Sequence, residues 1–219
     1  NAREFGAKGI GLCRTEHKFF KPERLPIVQK MILSAPDAHN GDDLAKNEFD
    51  SALSELLVMQ REDFKGILKE MDGLPVVIRL LDPPLNEFLP KKDDLLVEVA
   101  KMEAKGEIYS ADFEANRKLL ERVKSLTETN PMMGLRGVRL GLMFPGINQM
   151  QVRAIIEAAC ELKREGLNPR PKIMIPLVGH VNELDIVQDQ LKKTAQIVMS
   201  AQGIDVDYKF GTMIELPRA

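Results

Sequence analysis

The chain has 219 residues, 44% hydrophobic and 29% charged, enough apolar material for one large core or two small ones. Its 31 Lys and Arg nearly cancel 33 Asp and Glu, leaving a formal net charge of -2, so overall charge attracts neither nucleic acid nor an anionic membrane. Any anion site must be built locally. No apolar run is long enough to cross a bilayer and no cleavable leader is read, so the expected location is cytoplasmic, with an organelle lumen also compatible. Cys13 and Cys160 stand far apart without a CxxC or a Cys/His cluster, which argues against a disulfide framework and a structural zinc site.

"NAREFGAKG" opens without Met and reads as the last turns of a helix closing on Gly6 or Gly9. "GIGLCR", about 9 to 14, predicts a first strand. Helical patterns then run to about residue 71, where Leu53, Leu56, Leu57, Phe64, Ile67, Leu68 and Met71 recur at helical spacings and Gly73 is placed to end them. "VVIRLLDPP", 76 to 84, begins as a buried strand, then carries Arg79 and Asp82 and stops at Pro83-Pro84. Two polar helices are expected at about 93 to 105 and 111 to 127, and "LRGVRLGL", 135 to 142, as a third strand. Val152, Ile155, Ile156, Ala159 and Leu162 predict a helix ending near Gly166, and "KIMIPLV", 172 to 178, a fourth strand. Leu184, Val187, Leu191, Ala195 and Val198 define a further helix, with Asn182 as its expected N-cap and Asp185 three residues on. "YKFGTMIEL", 208 to 216, is the fifth strand, and both chain ends read as cut, so residues 1 to 219 are expected to be a fragment of a single domain.

Strands that alternate with helices and read as apolar runs predict a parallel sheet covered by helices. An open doubly wound sheet and part of an eight-stranded barrel both satisfy that pattern. Charge gathers where the strands finish: Arg14-Thr15-Glu16, Arg79 with Asp82, Arg136 and Arg139 around the third, Glu215 with Arg218 at the fifth. Active sites of parallel α/β proteins collect outside those carboxyl ends. Plain structural readings compete: an Arg14–Glu16 ion pair, an Arg79–Asp82 contact pinning a loop, and Arg136 and Arg139 as one solvated and one snorkelling side chain, a reading that suits Arg139 better. Glu215 shares the strand face of Met213, and a carboxylate buried there would need a cation. Several arginines and one inward carboxylate suit a dianionic ligand held partly through a hard divalent ion.

Other motifs fail. Gly9-Ile10-Gly11 has no third glycine at the dinucleotide spacing, and neither GxxxxGK[ST] nor GxSxG occurs. His17, His39 and His180 are scattered, and Cys13 should face the helices as an inert thiol.

Taken together, "GIGLCRTEHKFF", "LPVVIRLLDPPLNEFLP", "NPMMGLRGVRLG", "KIMIPLVG" and "FGTMIELPRA" resemble, in order and spacing, the C-terminal phosphoenolpyruvate/pyruvate-binding domain of the pyruvate phosphate dikinase family. Phosphoenolpyruvate synthase and enzyme I of the sugar phosphotransferase system share that domain. They are the alternative enzyme readings, and a non-catalytic binding module is the third. The resemblance implies a (β/α)8 TIM barrel of which this chain holds about strands 2 to 6. It implies that Arg14 and Arg79 hold the phosphoryl and carboxylate end of the substrate, that Arg136 lines the same mouth, that Met213 flanks the substrate, and that Glu215 is one of two Mg2+ ligands. Also implied are an upstream ATP-using part bearing a phosphohistidine, a homodimeric parent, and reversible conversion of ATP, phosphate and pyruvate to AMP, diphosphate and phosphoenolpyruvate. Leu135 and Asn86 depart from the family pattern. The second metal carboxylate and the proton-exchanging cysteine match nothing in this sequence, so no catalytic residue is assigned within it and the fragment alone is expected to be inactive.

Overall fold

A computed structural model describes residues 3–127, 130, 132 and 134–219. In chain order the elements are β1 (Ile10–Arg14), α1 (Glu16–Phe19), α2 (Leu25–His39), α3 (Asp43–Glu70), β2 (Pro75–Arg79), a 3-10 turn (Leu85–Phe88), α4 (Lys92–Ala104), α5 (Ala111–Leu126), α6 (Gly137–Met143), α7 (Pro145–Arg164), β3 (Arg170–Ile175), α8 (Val181–Gln202) and β4 (Lys209–Thr212). The chain divides into two compact units, one of residues 1–83 and 136–219, the other of residues 84–135. In the smaller unit α4 packs on α5, whose start is capped by Ser110 accepting from the Phe113 N–H at 3.1 Å.

The larger unit holds the sheet. All four strands are parallel, and their spatial order is their sequence order, β1-β2-β3-β4. Register sorts their side chains. Val76, Ile78, Ile173 and Ile175 share one face and are buried, and α7 lies against β3. On the opposite face Lys172, Lys209 and Gly211 are exposed. This is a sheet covered by helices on one side among the described residues.

α3 forms because Asp42 accepts from the Leu44 and Ala45 N–H groups at 2.9 and 3.0 Å, and because Leu53, Leu56, Leu57, Phe64 and Leu68 then fall on one buried stripe. α7 is the central helix, packed between α3 and α8, and Val152, Ile155, Ile156, Ala159 and Leu162 are all buried along it. Phe64, fully buried, anchors this layer; removing such a ring costs about 3–5 kcal/mol.

Three expectations are corrected. "LRGVRLGL" is not a strand: Gly137–Met143 is a helix, and β2 pairs directly with β3 from Pro75↔Arg170 to Arg79↔Met174, leaving no place between them. Among the described residues four strands replace the five expected. Val138, Leu140 and Leu142 alternate like a strand, but the buried set is 137, 138, 140 and 141, a helical spacing that so short a run does not reveal. The last two strands are also shorter than expected, ending at Ile175 before Pro176 and at Thr212. Finally, α8 is capped by His180, not Asn182: His180 Nδ1 accepts from the Asn182 N–H at 3.1 Å, while the Glu183 carboxylate accepts from the Gly179 and His180 N–H groups at 2.9 and 3.1 Å. At the start, Arg3 to Gly6 form a turn closed by Gly6 N–H donating to Arg3 O at 2.9 Å, while residues 1 and 2 of the expected helix end lie outside the described residues.

Candidate functional site

The carboxyl ends of β1, β2 and β3 and the segment after β4 form one rim. Across the ladder the Cα of Arg14 stands opposite that of Arg79, Arg79 opposite Met174, and Met174 opposite Gly211. Residues in one row share a sheet face, as do residues two apart on a strand, so Arg14, Arg79 and Met213 belong to the same side. Side chains agree with the register: Arg79 Nη1 lies 3.8 Å from Met213 Sδ.

Arg79 is 7% exposed, too little for water to solvate a guanidinium. Two carboxylates compensate it. Its Nη2 donates to Glu16 on α1, and its Nη1 pairs with Asp82 Oδ2 at 2.9 Å. Arg136 approaches from the other side, with Nη2 donating to the same Asp82 Oδ2 at 2.8 Å and Nε to the Asp82 carbonyl at 3.2 Å. Asp82 therefore sits between two guanidiniums. The Arg79–Asp82 contact read from sequence is present, while the Arg14–Glu16 pair is not, because Glu16 faces Arg79. Arg14 is exposed, and no ion pair or hydrogen bond engages its guanidinium among the described residues.

The cluster is neutral but incompletely bonded. Arg79 Nε, Glu16 Oε2 and Asp82 Oδ1 are all buried without a hydrogen-bond partner among the described residues. Such atoms are few in native structures, and here one is a donor and two are acceptors, so water, an ion or a ligand would satisfy them.

Glu215 corrects an expectation. It is exposed and lies three residues past the end of β4, so burial does not demand a cation for it. Its Oε1 instead accepts from the Leu177 N–H at 2.7 Å. Leu177 has φ of 61°, the sole non-glycine positive φ among the described residues. A leucine there costs about 1 kcal/mol or more, and backbone strain of this kind collects at ligand sites. Gly137 is fitted beside it with φ of 55°; a Cβ at Gly137 would stand 2.7 Å from Leu177 Cβ and 2.9 Å from Pro176 O. The Gly137 and Val138 N–H groups donate to Asp82 O at 3.1 Å and Pro176 O at 2.9 Å, which locks α6 and Arg136 onto the rim.

Cys13 is half-buried opposite Ile78, on the helix side of the sheet. Burial pushes its thiol up from the usual value, which keeps it protonated and unreactive. Asp63 on α3 supports α1 from outside the rim. Burial opposes its ionisation, but hydrogen bonding from Arg24 and the charge of Lys18, 3.5 Å away, prevail and hold its carboxyl below the usual range.

Residues Arg14, Arg79, Arg136, Met213 and Glu215 were legible as candidates, and all five lie on this rim. The roles of Glu16 and Asp82 as the counter-charges of Arg79 were only half legible. Both were visible as charges at strand ends, but which carboxylate meets which guanidinium depends on a crossing between loops. The strain at Leu177 gave no sequence signal, since nothing distinguishes it from the strand leucines.

A family model described as PEP-utilising enzyme, PEP-binding domain, matches residues 1–219. Among curated proteins, the pyruvate, phosphate dikinase of Giardia intestinalis is 50% identical over 218 residues, covering 100% of this chain and 23% of its own. That of Rhizobium meliloti (strain 1021) is 47% identical over 219 residues, 100% of this chain and 22% of its own. The chloroplastic pyruvate, phosphate dikinase 1 of Arabidopsis thaliana is 45% identical over 220 residues, 100% of this chain and 21% of its own. The chain thus spans less than a quarter of the length of these relatives.

Proposed function

The chain belongs to the family of PEP-binding domains of PEP-utilising enzymes, and on that premise we propose that it is the phosphoenolpyruvate/pyruvate-binding part of a pyruvate, phosphate dikinase. The observation that carries this reading is the rim: one buried and one half-buried arginine sharing the Asp82 carboxylate, and one exposed arginine with no ion pair among the described residues, on one edge of a parallel sheet. Its full reaction would be the reversible conversion of ATP, phosphate and pyruvate to AMP, diphosphate and phosphoenolpyruvate. Turnover belongs to the longer protein, which would bring a phosphohistidine from another part of the same chain and act as a homodimer, in the cytoplasm or an organelle.

The fold reading goes with it. A doubly wound sheet reverses its strand order and carries helices on both faces, whereas β1 to β4 run in sequence order with helices on one face. That favours a segment of a (β/α)8 barrel wall, with the exposed face turned to the barrel interior.

In this mechanism Arg79 and Arg14 take the phosphoryl and carboxylate oxygens, each guanidinium offering parallel donors that match those groups. Arg136, oriented by Asp82, adds positive charge beside the moving phosphoryl group. Met213 closes the apolar side of the three-carbon unit. Glu215 is the residue that would hold Mg2+, and it fits: exposed, one oxygen fixed by the Leu177 N–H, the other without a partner among the described residues. A Mg2+ ion takes one or two protein carboxylates and would leave its other positions to water and substrate. When bound, the ion supplies charge stabilisation at the substrate oxygens.

Replacing Arg79 by Ala in the full-length enzyme is expected to lower pyruvate turnover by about a hundredfold or more, while ATP still phosphorylates the histidine. Unchanged turnover would reject the role.

A further inference from the structure

We infer that Gln151 is a positioning residue that sets the geometry of both arginine-bearing loops; this rests on the substrate-binding role proposed for Arg14 and Arg79. Gln151 lies on α7 and is fully buried, 0% exposed, in a layer where apolar side chains predominate. A buried amide there is costly unless its hydrogen bonds are made. It makes three. Oε1 accepts from the Leu81 N–H at 2.8 Å, and Nε2 donates to Thr15 Oγ1 at 3.1 Å and to Gln60 Oε1 at 3.3 Å.

The orientation of the amide follows from chemistry, because a backbone N–H can only donate and so must face the oxygen. Leu81 is two residues beyond Arg79. The ladder ends at Leu80, whose N–H donates to Met174 O at 3.0 Å, and Gln151 takes the next N–H as the chain turns toward Asp82. Thr15, also 0% exposed, stands between Arg14 and Glu16. A single side chain thus fixes the segment carrying Arg14 and Glu16 against the segment carrying Arg79 and Asp82. Gln60, on α3, completes the chain of bonds, and its own Nε2 is buried without a partner.

Guanidiniums act on a phosphoryl group only when held to within a fraction of an ångström, and that precision comes from the residues behind them. Gln151 reaches no substrate itself. Its effect is transmitted through the backbone of Leu81 and the hydroxyl of Thr15.

The test uses the full-length enzyme with Gln151→Met, which keeps the volume and loses all three bonds, and with Thr15→Val and Thr15→Ser, which remove and retain the hydroxyl. KM for phosphoenolpyruvate is expected to rise about tenfold or more in Gln151→Met and Thr15→Val and to stay near wild type in Thr15→Ser, with ATP-dependent histidine phosphorylation preserved. A merely structural glutamine would lower the melting temperature and the active fraction while leaving KM unchanged; an unchanged KM in either folded variant overturns the inference. If Gln151→Met does not fold, Thr15→Val decides alone. Arg79→Ala run in parallel separates the two claims. Should it leave KM and turnover untouched, the substrate-binding reading itself fails; should it be impaired while Gln151→Met and Thr15→Val behave as wild type, only the positioning role fails.

Discussion

The rim cluster and the ladder between α3 and α7 are built from the same side-chain chemistry and put it to different use. In the ladder, Lys65 pairs with Glu161 and with Glu165, both at 2.9 Å, Arg61 reaches Glu157 at 3.3 Å and Glu161 at 3.4 Å, and Arg153 donates to Glu157 at 2.6 Å. Most of these side chains keep access to water, with 27% exposure at Lys65 and 29% at Arg61. Ion pairs in that setting contribute little to stability because solvent screens them and long side chains lose freedom. At the rim Arg79 and Asp82 are nearly dry, and three polar atoms remain unbonded. Burying charge in that state weakens the fold relative to an apolar core. The comparison teaches that the ladder is a surface seam between two helices, whereas the rim is a buried charge cluster held at a cost to stability, with one guanidinium donor and two carboxylate acceptors still unbonded among the described residues.

Removing the shared anion at the rim should break the comparison most visibly. Asp82→Ala leaves Arg79 and Arg136 facing each other without their common acceptor, and stability is expected to fall by about 3–5 kcal/mol, read from urea unfolding. A change no larger than that of a ladder mutant would erase the distinction. Next in size is Gly137→Ala, which forces a Cβ against Leu177 and Pro176 at a positive φ and should cost about 2–3 kcal/mol while displacing Arg136. Both should appear together, as a lower melting temperature and weaker phosphoenolpyruvate binding.

Asp63 sharpens the comparison from intermediate burial, with 13% of its side chain exposed. Its folded pKa is depressed, so its contribution is fully present above the unfolded value and is lost as pH falls through the folded one. Acid titration of Asp63→Asn should therefore show less loss of stability below the usual carboxylate range than wild type shows. Equal acid sensitivity would mean that the Arg24 and Lys18 contacts do not persist in solution. The smallest effect belongs to Lys65→Met in the ladder. Hydrogen bonds that Lys65 donates to Glu161 and then Glu165 raise its pKa, yet its exposure means that thermal unfolding should hardly separate the variant from wild type.

Much of this was written plainly in the sequence. Apolar runs announced β1, β2 and β3, and the spacing of Leu53, Leu56, Leu57, Phe64 and Leu68 announced α3. Arginines at strand ends pointed to the rim because strand direction alone decides where a residue after a parallel strand emerges. What stayed hidden depends on chain crossings. "GVRLGLM" satisfies two periodicities at once, and only the direct pairing of β2 with β3 excludes a strand there. Glu215 was expected to be buried because the strand was extended to 216, whereas β4 ends at Thr212 and the carboxylate emerges into solvent. Gln151 sits at a position the helical period turns inward, but no local pattern tells a buried glutamine with three partners from an exposed one. Its partners come from residues 15, 60 and 81, three separate parts of the chain.

The central claim is that Arg14, Arg79, Arg136 and Glu215 serve one ligand at one rim. A crystal structure of the full-length enzyme with phosphoenolpyruvate and Mg2+ tests it most directly. The account predicts phosphoryl or carboxylate oxygens within hydrogen-bond distance of Arg79 and Arg14, with the cation on Glu215. A ligand seated elsewhere, with the Arg79–Asp82–Arg136 cluster untouched, would contradict it.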